Sequence, residues 1–182
     1  MKKILICYGT RPEYIKIEPI ILHDLSQFHD IKTLFTGQHK DIVQASIKPT
    51  YSLEMNACAP NRLNSIVANI TGSYAFDQIL SEGFTHVLVQ GDTASAFACA
   101  LAAFNKGIKV IHLEAGLRTG DKNHPFPEEA YRQCISRITD IHLCATYYNF
   151  RSLLKDSITE AEMHVVGNTV LDHLKDVSIS YN

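Results

Sequence analysis

Two patterns of apolar residues alternate along this chain. One is a short, unbroken run, as in Ile4-Leu5-Ile6-Cys7-Tyr8, Val87-Leu88-Val89 and Val110-Ile111-His112-Leu113. The other is a longer stretch in which apolar residues return every three or four positions. Unbroken runs mark parallel strands covered on both faces, and the three-to-four repeat marks helices with one buried stripe. The first pattern predicts strands over Lys3–Tyr8, Ile31–Thr36, Tyr51–Met55, Thr85–Gln90, Lys109–Glu114, Ile141–Ala145 and His164–Val166. The second predicts helices over Tyr14–Phe28, Lys40–Ile47, Asn61–Ser81, Ala94–Asn105, Pro127–Thr139, Tyr147–Lys155 and Val170–Val177. Pro49 closes the second helix, Gly72 offers a break in the third, and Pro127 takes the first position of the fifth. Strand and helix alternating at this spacing define an α/β doubly wound parallel sheet of the Rossmann-like kind.

Polar clusters follow four of the strands. They are Gly9-Thr10-Arg11-Pro12-Glu13, Thr36-Gly37-Gln38-His39, Gln90-Gly91-Asp92-Thr93 and Glu114-Ala115-Gly116-Leu117-Arg118-Thr119-Gly120. Ligands of open α/β sheets bind beyond the carboxyl ends of the strands. The clusters therefore converge on one rim, with Arg11, Lys16 and Arg118 as cations and Asp92 and Glu114 as carboxylates. Arg11 and Lys16, at the start of a helix, suit a phosphate; pairing of Arg11 with Glu13 is the competing reading. Asp92 taken alone reads as the cap of the helix at Ala94. Glu114 ends an apolar strand, which desolvates a carboxylate and suits proton transfer; a salt bridge to Arg118 or Arg132 is the alternative. Glu128 and Arg132 stand four apart on one helical face, as an intrahelical pair or as a further acid and cation on the rim. His112 reads as a hydrogen-bonded core histidine and His124 as a solvated loop residue.

Composition narrows the classes. At 182 residues, 46% hydrophobic and 20% charged, the chain is ordinary for a globular domain. A net charge of −2 gives no electrostatic case for nucleic acid or an anionic membrane. No apolar run is long enough to span a bilayer. The apolar N-terminus is too short for a signal peptide and reads as the first strand. The five cysteines, Cys7, Cys58, Cys99, Cys134 and Cys144, have no CxxC spacing and read as buried reduced thiols of a cytoplasmic protein. The GxGxxG and Walker A patterns are absent, as are metal-ligand spacing and a serine nucleophile elbow.

Together the segments GTRPE with Lys16, TGQH, QGDT, HLEAGLRTGD, PFPEE with Arg132, and GNTVLD resemble the non-hydrolysing bacterial UDP-N-acetylglucosamine 2-epimerases. The resemblance runs through essentially the whole chain in order, and HLEAGLRTGD followed by PFPEE is its most specific part. It implies the N-terminal domain of a two-domain, glycosyltransferase-B-like fold. Residues 1–170 would form the Rossmann-like domain and 171–182 the start of the crossover, with the C-terminal nucleotide-binding domain absent. It implies interconversion of UDP-N-acetylglucosamine and UDP-N-acetylmannosamine by elimination and re-addition of UDP, for surface polysaccharide precursors, without a cofactor or metal. Asp92, Glu114 and Glu128 map onto the family's catalytic acids. Arg11, Lys16 and Arg132 map onto its substrate and phosphate contacts, and Gln38 and His39 onto a region near a regulatory site of some members. The resemblance also implies a homodimer. The alternatives are the N-terminal domain of a nucleotide-sugar glycosyltransferase and a non-catalytic binding domain.

Overall fold

Side-chain caps set where the helices of this chain begin. Asn61, Ser73, Thr93 and Thr146 each accept a hydrogen bond from a backbone N–H of the helix they open. Thr10 and Glu13 form a reciprocal capping box. The computed structural model describes residues 1–23, 28–39, 47–56 and 58–179. Within them seven strands form one sheet: β1 (Lys2–Tyr8), β2 (His29–Phe35), β3 (Tyr51–Ser52), β4 (His86–Gln90), β5 (Lys109–Ala115), β6 (Ile141–Cys144) and β7 (Glu162–Val165). The helices are α1 (Arg11–Leu22), α2 (Arg62–Thr71), α3 (Tyr74–Leu80), α4 (Ala94–Asn105), α5 (Glu128–Arg137), α6 (Tyr147–Lys155) and α7 (Val170–Ile179).

Every strand pair is parallel, in the order β3-β2-β1-β4-β5-β6-β7. This is the doubly wound α/β, Rossmann-like arrangement that the apolar pattern predicts. The order reverses between β1 and β4, so the loops after these two strands flank the crevice at the switch point. Alternate residues of the central strands serve two cores. Leu5, Cys7, Val87, Val89 and Val110 pack with the alanines of α4 and with Ile66 and Ile70 of α2. Ile6, Tyr8, Leu88, Ile111 and Leu113 pack with Tyr14 and Ile17 of α1. The small residues Ala96, Ala98, Cys99, Ala100 and Ala103 are wholly buried, which lets α4 lie close to the sheet.

Several elements depart from their expected bounds. The first helix ends at Leu22, where the His23 N–H bonds to the Pro19 carbonyl and the chain turns extended. The expected Asn61–Ser81 helix is two, because Gly72 caps the end of α2 and Ser73 caps the start of α3. The expected strand over Tyr51–Met55 keeps only two residues. Pro127 stands just before α5 as its N-cap and not as its first residue. The helix expected over Lys40–Ile47 falls almost wholly outside the described residues. Among the thiols, Cys7, Cys99 and Cys144 are buried, but Cys58 and Cys134 are exposed; all five are free.

Candidate active site

β1, β4 and β5 are neighbours and parallel, so the segments that leave their carboxyl ends share one rim. At the end of β5 the ladder with β6 slips. Leu113 pairs with Leu143 and Ala115 with Cys144, leaving Glu114 as the extra residue of a bulge. Glu114 has φ 65°, the left-handed region in which an L side chain costs about 1–2 kcal/mol. In unbroken alternation Glu114 would share the face of Val110 and His112. The bulge turns its carboxylate instead toward Lys16, on the helix covering the opposite face. Lys16 Nζ lies 2.5 Å from Glu114 Oε2, and Gln90 Nε2 donates to the same oxygen. Neither Arg118 nor Arg132 is its partner. Residues in such sparsely populated conformations cluster at functional sites.

Asp92 does not cap α4; Thr93 does, through its hydroxyl. The Asp92 carboxylate faces α5, where Nε and NH2 of Arg132 bond Oδ2 at 2.7 and 2.6 Å. The third nitrogen of Arg132, NH1, reaches Glu129 Oε2 at 3.2 Å. Arg132 therefore bridges two carboxylates, and neither is Glu128, the partner suggested by i,i+4 spacing. Glu129 is wholly buried and also accepts from the Thr119 N–H and from Gln133. Burial acts to raise its pKa, but Gln133, the Thr119 amide and Arg132 outweigh it and hold the carboxyl below the usual range. Glu128 is half-buried and makes no hydrogen bond or ion pair among the described residues.

Glu13 joins the two loops that flank the switch point. Its Oε2 accepts from the N–H groups of Gly9 and Thr10 at 2.9 and 2.7 Å, and its Oε1 from the Thr93 hydroxyl at 2.7 Å. Burial raises its pKa and these three bonds oppose the rise. With Glu13 so engaged, Arg11 stays exposed and unpaired among the described residues. Gln38 Oε1 accepts from the N–H and hydroxyl of Ser95 at the start of α4, and the His39 N–H bonds to the Gly9 carbonyl at 2.8 Å. Both residues thus join the same rim. Gly9 is obligatory there, because a Cβ would stand 2.3 Å from Thr36 Oγ1 and 2.4 Å from Ser95 Oγ.

Arg118 is a strut and not a rim cation. Its Nε bonds Asp156 at 2.7 Å and its NH2 bonds Ser136 at 2.8 Å. His112 is a core histidine, its Nε2 2.7 Å from the Gly91 carbonyl, and burial pushes its pKa down to about 4. His142, beside it on β6, is driven down to about 3 by burial, then by His112 and Arg118. His124 lies exposed in its loop against Asp121. Among the described residues no group of three His, Cys, Asp or Glu side chains is placed to hold a metal ion.

Sequence reasoning placed Arg11, Lys16, Asp92, Glu114, Arg118, Glu128 and Arg132 on this edge, offered Glu13 only as a partner for Arg11, and gave no role to Gln90 or Glu129. The Thr10–Glu13 spacing of a capping box was the available signal for Glu13. For Gln90 the signal was an amide closing a strand whose five residues are all buried. The arrangement can bind an anion through Arg11 and Lys16, and can move protons through Glu114 and Glu128.

The fold is a doubly wound parallel sheet with acids and cations gathered at its switch point, where α/β domains of this class bind their ligands. The chain belongs to the UDP-N-acetylglucosamine 2-epimerase family, whose model matches residues 23–181. It is 39% identical to the UDP-N-acetylglucosamine 2-epimerase of Salmonella borreze, over 96% of this chain and 47% of that protein. It is 38% identical to the Escherichia coli K12 enzyme of the same name, over 94% and 47%. The crystal structure of the Neisseria meningitidis UDP-GlcNAc 2-epimerase bound to UDP-GlcNAc superposes with a TM-score of 0.85 at 36% identity, covering 98% of this chain and 50% of that one. The chain spans about half the length of the curated relatives it matches. Among the described residues no helix is long and apolar enough to cross a membrane.

Proposed function

We propose that this chain is the N-terminal domain of a non-hydrolysing UDP-N-acetylglucosamine 2-epimerase that interconverts UDP-GlcNAc and UDP-ManNAc. The hydrogen at C2 of the sugar is not beside a carbonyl, so direct enolisation is closed to it. In the proposed route a base takes the C2 proton while the C1–O bond breaks and its electron pair leaves with UDP. The product is a 2-acetamidoglucal. UDP then adds back at C1 and an acid returns a proton to the other face of C2, so that atoms and charge balance with no net redox change. The reaction needs acids and bases near C2 and cations on the departing diphosphate.

The observation that carries this reading is Glu114, strained and turned by a bulge onto the switch-point rim beside Lys16. We assign it to proton transfer at C2, with Asp92 and Glu128 as the further acids of the site. Arg11 and Lys16 take the diphosphate; Arg132 serves the site by holding Asp92, its fork being occupied by carboxylates. Gln38 and His39 border a regulatory UDP-N-acetylglucosamine site. Residues 1–170 are the domain and 171–182 lead toward a second one; the protein works as a cytoplasmic homodimer without a cofactor, supplying surface polysaccharide precursors. The test is incubation of the full-length protein with UDP-GlcNAc in deuterium oxide, with the epimers resolved by NMR. Both epimers should appear, at a turnover of about 10 per second, with deuterium at C2. UDP-GlcNAc recovered unchanged would overturn the proposal.

A further inference from the structure

Gln90 does something at the rim that neither the core nor the sheet requires. It closes β4 with its side chain buried, and its only side-chain hydrogen bond among the described residues goes to Glu114 Oε2. Lys16 Nζ reaches that same oxygen, while Glu114 Oε1 has no partner among the described residues. The two donors differ in kind. Lys16 sits on a helix surface at the end of a flexible stem, and an arriving anion competes for its charge. Gln90 is neutral and anchored in a strand flanked by two others, so it has nowhere else to go. Gly91 follows in the left-handed region, and a Cβ there would stand 3.9 Å from Glu114 Oε2, so the carboxylate lies against the turn that leaves β4.

We infer that Gln90 is a positioning residue for the proton-transfer step: it pins Oε2 of Glu114 whether or not Lys16 is engaged elsewhere, and leaves Oε1 as the oxygen that exchanges the proton on one face of C2, the opposite face being served by another acid of the site. The inference rests on the epimerase reading for its substrate, but its geometric content does not. A neutral donor orients the carboxylate without adding a second positive charge beside it. The left-handed backbone at Glu114 fixes where the side chain starts, and Gln90 fixes where it ends. Small displacements of a reacting group are enough to cost about 100-fold in rate.

The decisive experiment is a double-mutant cycle in the full-length protein. Gln90→Met keeps the length of the side chain and removes the donor. It should lower kcat roughly 10- to 100-fold, with solvent-deuterium incorporation at C2 falling in step and KM within about threefold of its starting value. In a Glu114→Gln background the same change should alter kcat by no more than about twofold, because the group it acts through is gone. Unchanged kcat in Gln90→Met, or an equal further loss in the Glu114→Gln background, overturns the inference. Should Gln90→Met not fold, Gln90→Asn draws the amide back by one methylene and carries the same expectations. If the unsubstituted protein does not epimerise UDP-GlcNAc, the functional reading fails by itself. The inference is then decided by crystal structures: Lys16→Met alone should leave Glu114 in place and adding Gln90→Met should release it from its rotamer; a Glu114 side chain left in place in the double variant overturns it.

Discussion

Glu13 and Glu114 stand on the same edge of the same sheet and make opposite use of a carboxylate. Glu13 is wholly buried, and both its oxygens are taken by two backbone amides and a hydroxyl. Glu114 is partly open, strained in its backbone, and held by one oxygen only. A carboxylate with both oxygens engaged organises the chain around it. One left half-satisfied beside a crevice retains an oxygen for chemistry. The contrast gives each residue a different expected failure.

Glu13→Ala should do the most damage to stability. It leaves the amides of Gly9 and Thr10 and the Thr93 hydroxyl without an acceptor, at a cost of roughly 3–5 kcal/mol in urea unfolding of this 182-residue domain. A loss below about 1 kcal/mol would erase the distinction between the two acids. The buried imidazoles extend the test to pH. Burial keeps His112 and His142 neutral in the fold, with pKa values pushed down to about 4 and about 3 from the 6.5 of a free imidazole. The unfolded chain therefore binds protons first. Stability is undiminished above pH 6.5 and falls as the pH drops through that value toward 4, with roughly 3 kcal/mol from His112. Urea midpoints measured between pH 7 and 4 check the slope, and a flat profile contradicts it.

Glu114→Gln should reverse the pattern of Glu13→Ala. Turnover of the full-length protein should fall about 100-fold or more, equivalent to roughly 2.7 kcal/mol in the barrier, with the urea midpoint nearly unchanged. Unfolding with normal turnover of the remaining folded enzyme would make Glu114 a structural partner like Glu13. The smallest effect belongs to Lys106→Ala, which removes the surface pair with Asp77. It should change the unfolding free energy by under about 0.5 kcal/mol and turnover not at all.

The sheet was legible because its strands are apolar runs with caps and glycines between them. Gly72 offered a break within the expected Asn61–Ser81 helix, but the cap that Ser73 gives to α3 was not read. The edge that carries the site followed from topology alone, since parallel strands put all their C-terminal loops on one side. The pairings within that edge did not. Arg132 chose Asp92, forty residues away, over its helical neighbour Glu128, because the sheet brings the β4 loop against α5. The bulge at Glu114 left no trace either, since Val110 to Ala115 reads as one uninterrupted strand and no glycine marks the left-handed residue. Local pattern fixes which residues reach the rim; the side chains of other elements fix which oxygens stay open.

The Thr93–Glu13 bond has a mechanical consequence. Together with Lys16–Glu114 and Arg132–Asp92 it ties α1, the β4 loop, the end of β5 and α5 into one stiff jaw. A molecule settling on this rim meets a surface whose parts move together or not at all. Whatever adjusts to its shape is left to the side chains of Arg11, His39 and Glu128, which have no hydrogen-bond partner among the described residues, and to the exposed loop around Phe126. The amides of Gly9 and Thr10, locked onto Glu13, should be among the slowest in the molecule to exchange with solvent, with or without a ligand.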